Sequence, residues 1–237
     1  MSGHSHWAGI KQRKGINDAK RAKIFTRLAK PITIAAREGG GNPDTNFKLR
    51  MAIDKAREFN MPKENIERAI KRGTGELKGA ELSEMVYEAS APGGIMMLVK
   101  VTTDNKNRAV SEIKTVFNKL GGKLGEAGSA MWNFEQVGSI VIEPGGKNTE
   151  ALEMAAIEAG AKDMRTEEDA FIVFTEIQDL QKIQESLEKS GLKVLESGLA
   201  HTPKNVVRVD ESTRLSYEKI LEALDELDDV EEIYDNL

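Results

Sequence analysis

His4 and His6 form an H-x-H pair at the start of the chain. With Met1 removed, Ser2-Gly3-His4 would offer an amine, two amides and an imidazole, a square-planar set suited to Cu(II) or Ni(II). We read this set as adventitious: partly protonated histidines among lysines and arginines more simply add pH-dependent charge. His201 is isolated and is read as structural. Gly145-Gly146-Lys147-Asn148 lacks both the spacing and the hydroxyl residue of a phosphate-cradling P-loop, and Gly73-x-Gly75 has no glycine at position 78 to complete a dinucleotide fingerprint. The chain holds no cysteine, which removes disulfides, thiolate nucleophiles and cysteine zinc sites together. No Ser/His/Asp set can be assembled, and the many carboxylates fall on amphipathic helices as solvated faces. The sequence therefore predicts no catalytic residue, no metal, no cofactor and no small-molecule substrate.

Charge is the stronger signal. Of 34 basic and 39 acidic groups, 18 basic and 8 acidic ones lie in residues 1–78, a local net of +10; the remaining 16 basic and 31 acidic groups give −15. Such asymmetry points to nucleic acid or an anionic surface. Lys11, Arg13, Lys14, Lys20, Arg21, Lys23, Arg27, Lys30 and Arg37 face a single acid, Asp18, before Glu38. Trp7 beside them could stack on a base, and His4 adds charge. No uncharged apolar run approaches the roughly 18 residues of a membrane span, and no signal-peptide core follows the basic start. The chain reads as soluble and cytoplasmic, without a membrane partner.

The elements that must position these groups follow from periodicity. Residues 17–37 read as a helix with Ile24, Phe25, Leu28, Ala29, Ile32, Ala35 and Ala36 on one stripe and the cations opposite. Pro31 is expected to kink it, and Gly39-Gly40-Gly41-Asn42-Pro43 to end it in a flexible joint. A second helix follows Asp44, and a third starts at Pro62 and ends at Gly73, carrying Lys71 and Arg72. The connection across Asn60-Met61 is too short for a helix-turn-helix. Strands are expected at 84–91 and 95–103, a helix at 105–120, a strand at 131–134, a strand at 206–209, an acidic helix through Tyr217 and Leu227, and a strand at 230–234. Between residues 137 and 199 a repeat recurs at an offset of 31, Ile140-Val141-Ile142 matching Phe171-Ile172-Val173. Two such β-α-β units make a ferredoxin-like sandwich. Thr103-Asp104-Asn105-Lys106-Asn107-Arg108 lies where a strand meets a helix, either capping that helix or offering Asn105, Lys106, Asn107 and Arg108 as a second contact.

The predicted class is α+β with three domains: a basic helical domain at 1–78, a discontinuous α+β domain at 79–135 and 204–237, and a ferredoxin-like insertion at 136–203.

Several motifs then stand out: Gly3-His4-Ser5-His6-Trp7-Ala8-Gly9-Ile10-Lys11-Gln12-Arg13-Lys14, Asp18-Ala19-Lys20-Arg21-Ala22-Lys23-Ile24-Phe25, Ala35-Ala36-Arg37-Glu38-Gly39-Gly40-Gly41 and Met61-Pro62-Lys63-Glu64-Asn65-Ile66-Glu67-Arg68-Ala69-Ile70-Lys71-Arg72-Gly73. With Pro92-Gly93-Gly94 and Thr103 to Arg108, they resemble the YebC/PmpR family over essentially the whole chain. Departures are local: His6 replaces a customary lysine, Gly9 a customary asparagine, and Pro31 is atypical within its helix. The resemblance implies three domains and no enzymatic activity. It implies a nucleic-acid-binding regulator of gene expression, either a DNA-binding transcriptional regulator or, like the similar mitochondrial translational activator of cytochrome c oxidase, a factor that acts on protein synthesis. In the second case the partner is rRNA or tRNA in the ribosome, at stalling, proline-rich sequences. The basic segment is expected to dock on phosphates while the acidic domains point away.

Overall fold

The computed structural model of the chain describes residues 18–79, 81–167 and 170–237. They divide into two compact units, one ending at Glu135 and resuming at Thr202–Leu237, the other formed by Gln136–His201.

The first unit opens with three helices, α1 (Asp18–Gly39), α2 (Phe47–Glu58) and α3 (Lys63–Gly73). Ile24, Leu28, Ile32, Ala35 and Ala36 of α1 recur at helical spacing and bury against Leu49, Ile53 and Ala56 of α2 and Ile66 and Ala69 of α3. The helix runs unbroken through Pro31. The glycine-rich stretch after it is stapled: Asn46, 7% exposed, accepts from the Leu49 amide at 3.1 Å and donates to the carbonyls of Ala35 and Gly40 at 2.7 and 2.8 Å. One side chain thus caps α2 and closes the end of α1, so the expected flexible joint is a fixed corner, and α2 begins at Phe47, later than expected. Four residues, 59–62, join α2 to α3, with Asn60 at φ 56° and Met61 buried. That is longer than the two-residue link read from the sequence and matches the turn length of a helix-turn-helix.

Strands β1 (Ser83–Ala91), β2 (Ile95–Thr103), β3 (Lys123–Leu124) and β8 (Val230–Asp235) form an antiparallel sheet in the order β3-β1-β2-β8. The alternate side chains Ile95, Met97, Val99 and Val101 pack with Ile113 and Phe117 of α4 (Lys106–Leu120) and Tyr217, Ile220 and Leu224 of α7 (Glu211–Asp225). By the same alternation Leu98, Lys100 and Thr102 face the other side, where Lys100 meets Glu231 and Glu232 of β8. Gly121 ends α4 at φ 81°, a left-handed cap that glycine adopts without strain. The loop that follows folds onto Glu88, which is 8% exposed and accepts from the amides of Gly128, Ala130 and Met131 at 2.6–2.7 Å. Burial pushes this carboxyl up, and the three amide donors outweigh it and hold it below its ordinary value.

The second unit contains most of β4 (Phe134–Glu143), α5 (Thr149–Ala159), β5 (Asp163–Thr166), β6 (Phe171–Thr175), α6 (Leu180–Lys189) and most of β7 (Lys193–Pro203). Its sheet order, β5-β6-β4-β7, interleaves the two β-α-β repeats antiparallel to one another, the ferredoxin-like arrangement. Two expected strands differ. Residues 131–133 form a 3-10 turn that leads into β4, and 206–209 take no regular structure, the Val207 amide donating to the Asn236 carbonyl at 2.7 Å. In the first stretch the Met131 amide is taken by the Glu88 carboxylate and the Asn133 amide by the Ala130 carbonyl instead of a neighbouring strand.

Where α3 crosses α1, a Cβ on Gly73 would lie 2.3 Å from the Thr33 carbonyl oxygen and 2.7 Å from Ala36 Cβ. Gly73→Ala is therefore expected to destabilise the protein by about 2 kcal/mol, read by urea unfolding.

Candidate nucleic-acid interface

Lys23, Arg27, Lys30, Ile34 and Arg37 recur at four- and three-residue spacing and so share one stripe of α1. From Lys23 to Ile34 that stripe is buried or half-buried within the first unit, while Arg37 at its end is exposed. Lys23 donates to the carbonyl and, at 3.1 Å, to the carboxylate of Glu226. Arg27, 5% exposed, donates to the Asp225 carbonyl, to Asp225 Oδ1 at 3.1 Å and to the Leu227 carbonyl at 2.7 Å. Lys30 reaches the carbonyls of Thr102 and Asp228 at 2.8 and 2.9 Å and Asp229 Oδ1 at 2.7 Å. Arg37 donates to the Leu82 carbonyl at 2.7 Å. The acceptors are mostly the last carbonyls of α7 and the turn after it, the negative end of a helix, reinforced by four carboxylates. The acidic segment clasps the basic helix instead of pointing away from it, because a row of desolvated cations needs anions within the same fold.

Asp229 is the node of this clasp. It is 6% exposed and accepts from Lys30, from Thr103 Oγ1 at 2.8 Å and from Arg108 Nη2 at 2.8 Å. Burial raises its carboxyl, while the Lys30, Arg108 and Thr103 donors lower it further, leaving it below the ordinary value. A second cluster adjoins it. Glu232 lies 3.5 Å from Lys55 of α2 and 3.7 Å from Lys100, and accepts from the Tyr234 hydroxyl at 2.5 Å. Burial opposes ionisation there, but Lys100 and Lys55 prevail and bring Glu232 from the usual 4.5 to about 2. Lys100 is raised chiefly by Glu232. Its neighbour Glu231 is raised by burial.

The 104–108 cluster divides. Asn105 caps α4, accepting from the Arg108 amide at 3.1 Å, and Arg108 bridges Asp104 at 2.9 Å to Asp229. Lys106 and Asn107 remain exposed, with no side-chain partner among the described residues.

On α3, Arg68, Lys71 and Arg72 share a face at three- and four-residue spacing, exposed and without a carboxylate partner among the described residues. Arg21 of α1 is likewise exposed and unpaired. Lys20 falls on the first turn of α1 by its backbone alone, and His4, Trp7, Lys11, Arg13 and Lys14 lie outside the described residues. Arg68, not singled out from the sequence, was recognisable as the i−3 and i−4 neighbour of Lys71 and Arg72. The acidic partners of α1 were less so. The run Asp225-Glu226-Leu227-Asp228-Asp229 is plain, but nothing local pairs it with cations some 200 residues earlier.

Family profiles described as the TACO1/YebC protein N-terminal domain and the TACO1/YebC second and third domain match residues 5–76 and 82–237. Among curated relatives, a probable transcriptional regulatory protein of Thermotoga maritima is 50% identical over 240 residues, spanning 100% of this chain and 93% of its own. One of Caldanaerobacter subterraneus subsp. tengcongensis is 47% identical over 238 residues, spanning 100% and 98%. The crystal structure of a conserved hypothetical protein, Aq1575, from Aquifex aeolicus is similar with a TM-score of 0.91 at 44% identity, covering 98% of this chain and 96% of that one. Among the described residues no helix is long and apolar enough to cross a membrane.

Asp229→Asn leaves Lys30 and Arg108 facing a neutral amide, and is expected to cost about 3 kcal/mol in urea unfolding. Glu38→Gln, which breaks the exposed pair with Lys48, should cost under about 0.5 kcal/mol. Because Glu232 is depressed in the folded state, its contribution is complete above the usual 4.5 and is lost as pH falls toward 2. The stability advantage of the wild type over Glu232→Gln should therefore shrink between these limits in thermal melts taken across that range.

Proposed function

The chain belongs to the TACO1/YebC family, and from that premise we propose that it is a non-enzymatic regulator of gene expression that binds nucleic acid through its helical domain. The observation that carries the reading is the set of cations left over once the clasp has formed: Arg68, Lys71 and Arg72 on one face of α3, with Arg21 on α1. Cations exposed together without carboxylates suit a row of phosphates, which fixes position and register without reading sequence. The basic residues 11–14 precede this domain in the chain and add to its positive charge. We take the cytoplasm as the place where it meets either target below.

Two targets fit such a surface. The names of the relatives, together with the four-residue turn that sets α3 as the second helix of an α2–turn–α3 unit, support duplex DNA and transcription. A groove beside the α3 cations supports folded RNA and hence translation, because a groove accepts unpaired bases that a duplex does not offer.

Neutralising about 6 phosphates should make the logarithm of the affinity for duplex DNA fall with log salt at a slope of about −5. A flat salt response would contradict phosphate binding altogether. Polysome-gradient sedimentation beside DNA footprinting at equal salt separates the targets. Cosedimentation with ribosomes and no footprint selects translation; a footprint without cosedimentation selects transcription.

A further inference from the structure

Between α1 and α3 lies an open groove of about 540 Å³, within the size range of small-ligand sites. Its floor is apolar, made by Phe25 and Ala29 of α1 with Met61 and Ala69. Its rim carries Arg68 and Arg72, the two unpaired guanidiniums one turn apart on α3, and Asn65, whose side-chain amide has no partner among the described residues. Lys30 and Asp104 also border it, but each is already engaged, Lys30 by Asp229 and Asp104 by Arg108.

We propose that this groove receives a single unpaired nucleotide from a loop of folded RNA. The proposal rests on the nucleic-acid-binding reading above and adds to it a specific subsite. Three chemistries converge on that occupant. An apolar floor with one aromatic ring suits the face of a base, which stacks regardless of identity. Two free guanidiniums suit the phosphates that flank it. A free carboxamide presents a donor and an acceptor together, matching the edge of an unpaired base. An acidic peptide would satisfy the arginines and could pair its backbone with the amide, but its carboxylate side chains would leave the apolar floor without a complement. Looped RNA presents bases already splayed from the stack, whereas duplex DNA must first extrude one at a cost of a few kcal/mol.

The test uses the full chain and three probes of equal length and charge: an RNA hairpin with an unpaired purine loop, a fully paired RNA duplex and a fully paired DNA duplex. Two variants fill the groove from exposed positions of α1 without altering charge, Ala22→Trp and, as an independent check, Thr26→Phe. The wild type should prefer the hairpin over both duplexes by about tenfold, the worth of one stacked base. Either variant should abolish that preference while leaving duplex affinity and the melting temperature unchanged. A 2-aminopurine placed in the loop should change its fluorescence on binding the wild type and not on binding the variants. A hairpin preference that survives in a variant with an unchanged melting temperature overturns the proposal, as does a wild type that binds all three probes equally. If no probe binds even at low salt, the nucleic-acid reading itself fails, an outcome distinct from the loss of a preference.

Discussion

The contact on which the first unit depends is electrostatic: the cationic stripe of α1 seated on the carbonyl end of α7 and the acidic turn behind it. Helix ends leave carbonyls without partners, and buried cations need anions, so each side supplies what the other lacks. Asp229 ties this contact to the sheet, since the carboxylate that receives Lys30 also receives Thr103 of β2 and Arg108 of α4. The helical domain is therefore held by the middle domain through charge, in addition to the apolar core that each builds for itself.

This contact changes what the charge asymmetry means. The +10 segment and the −15 remainder are partly each other's partners, through Lys23, Arg27, Lys30 and Lys55. What stays available to an external polyanion is a smaller set concentrated on α3. The cations that look most like a binding stripe, at regular helical spacing, are regular because a fold surface requires it. Arg68, Lys71 and Arg72 of α3 sit beside Glu64 and Glu67 and look unremarkable in sequence, yet they have no carboxylate partner among the described residues.

Legibility followed the range of the interactions. The apolar faces of α1 and α2, the boundaries of β2, and the two β-α-β repeats are written in local periodicity, and the structure has them where periodicity places them. The fixed corner at Asn46 was not legible, because a glycine-rich stretch reads as flexible until a side chain from the next helix closes it. Residues 131–133 and 206–209 read as strands from their apolar residues, but pairing depends on an edge that lies elsewhere in the chain. The role of Arg27 and Lys30 was the least legible of all, since their partners lie about 200 residues away and a cation's sequence neighbourhood does not say which anion it will meet.

The proposed division of labour between two basic helix faces is open to one decisive comparison, charge reversal on each. Affinity for nucleic acid at one fixed salt and melting temperature would be measured side by side for Arg68→Glu/Arg72→Glu on α3 and for Lys23→Glu/Arg27→Glu on α1. The α3 variant should lose most of its affinity and keep its melting temperature, while the α1 variant should melt at a markedly lower temperature. An α3 variant that binds as well as the wild type, with an α1 variant that folds normally and no longer binds, would contradict it.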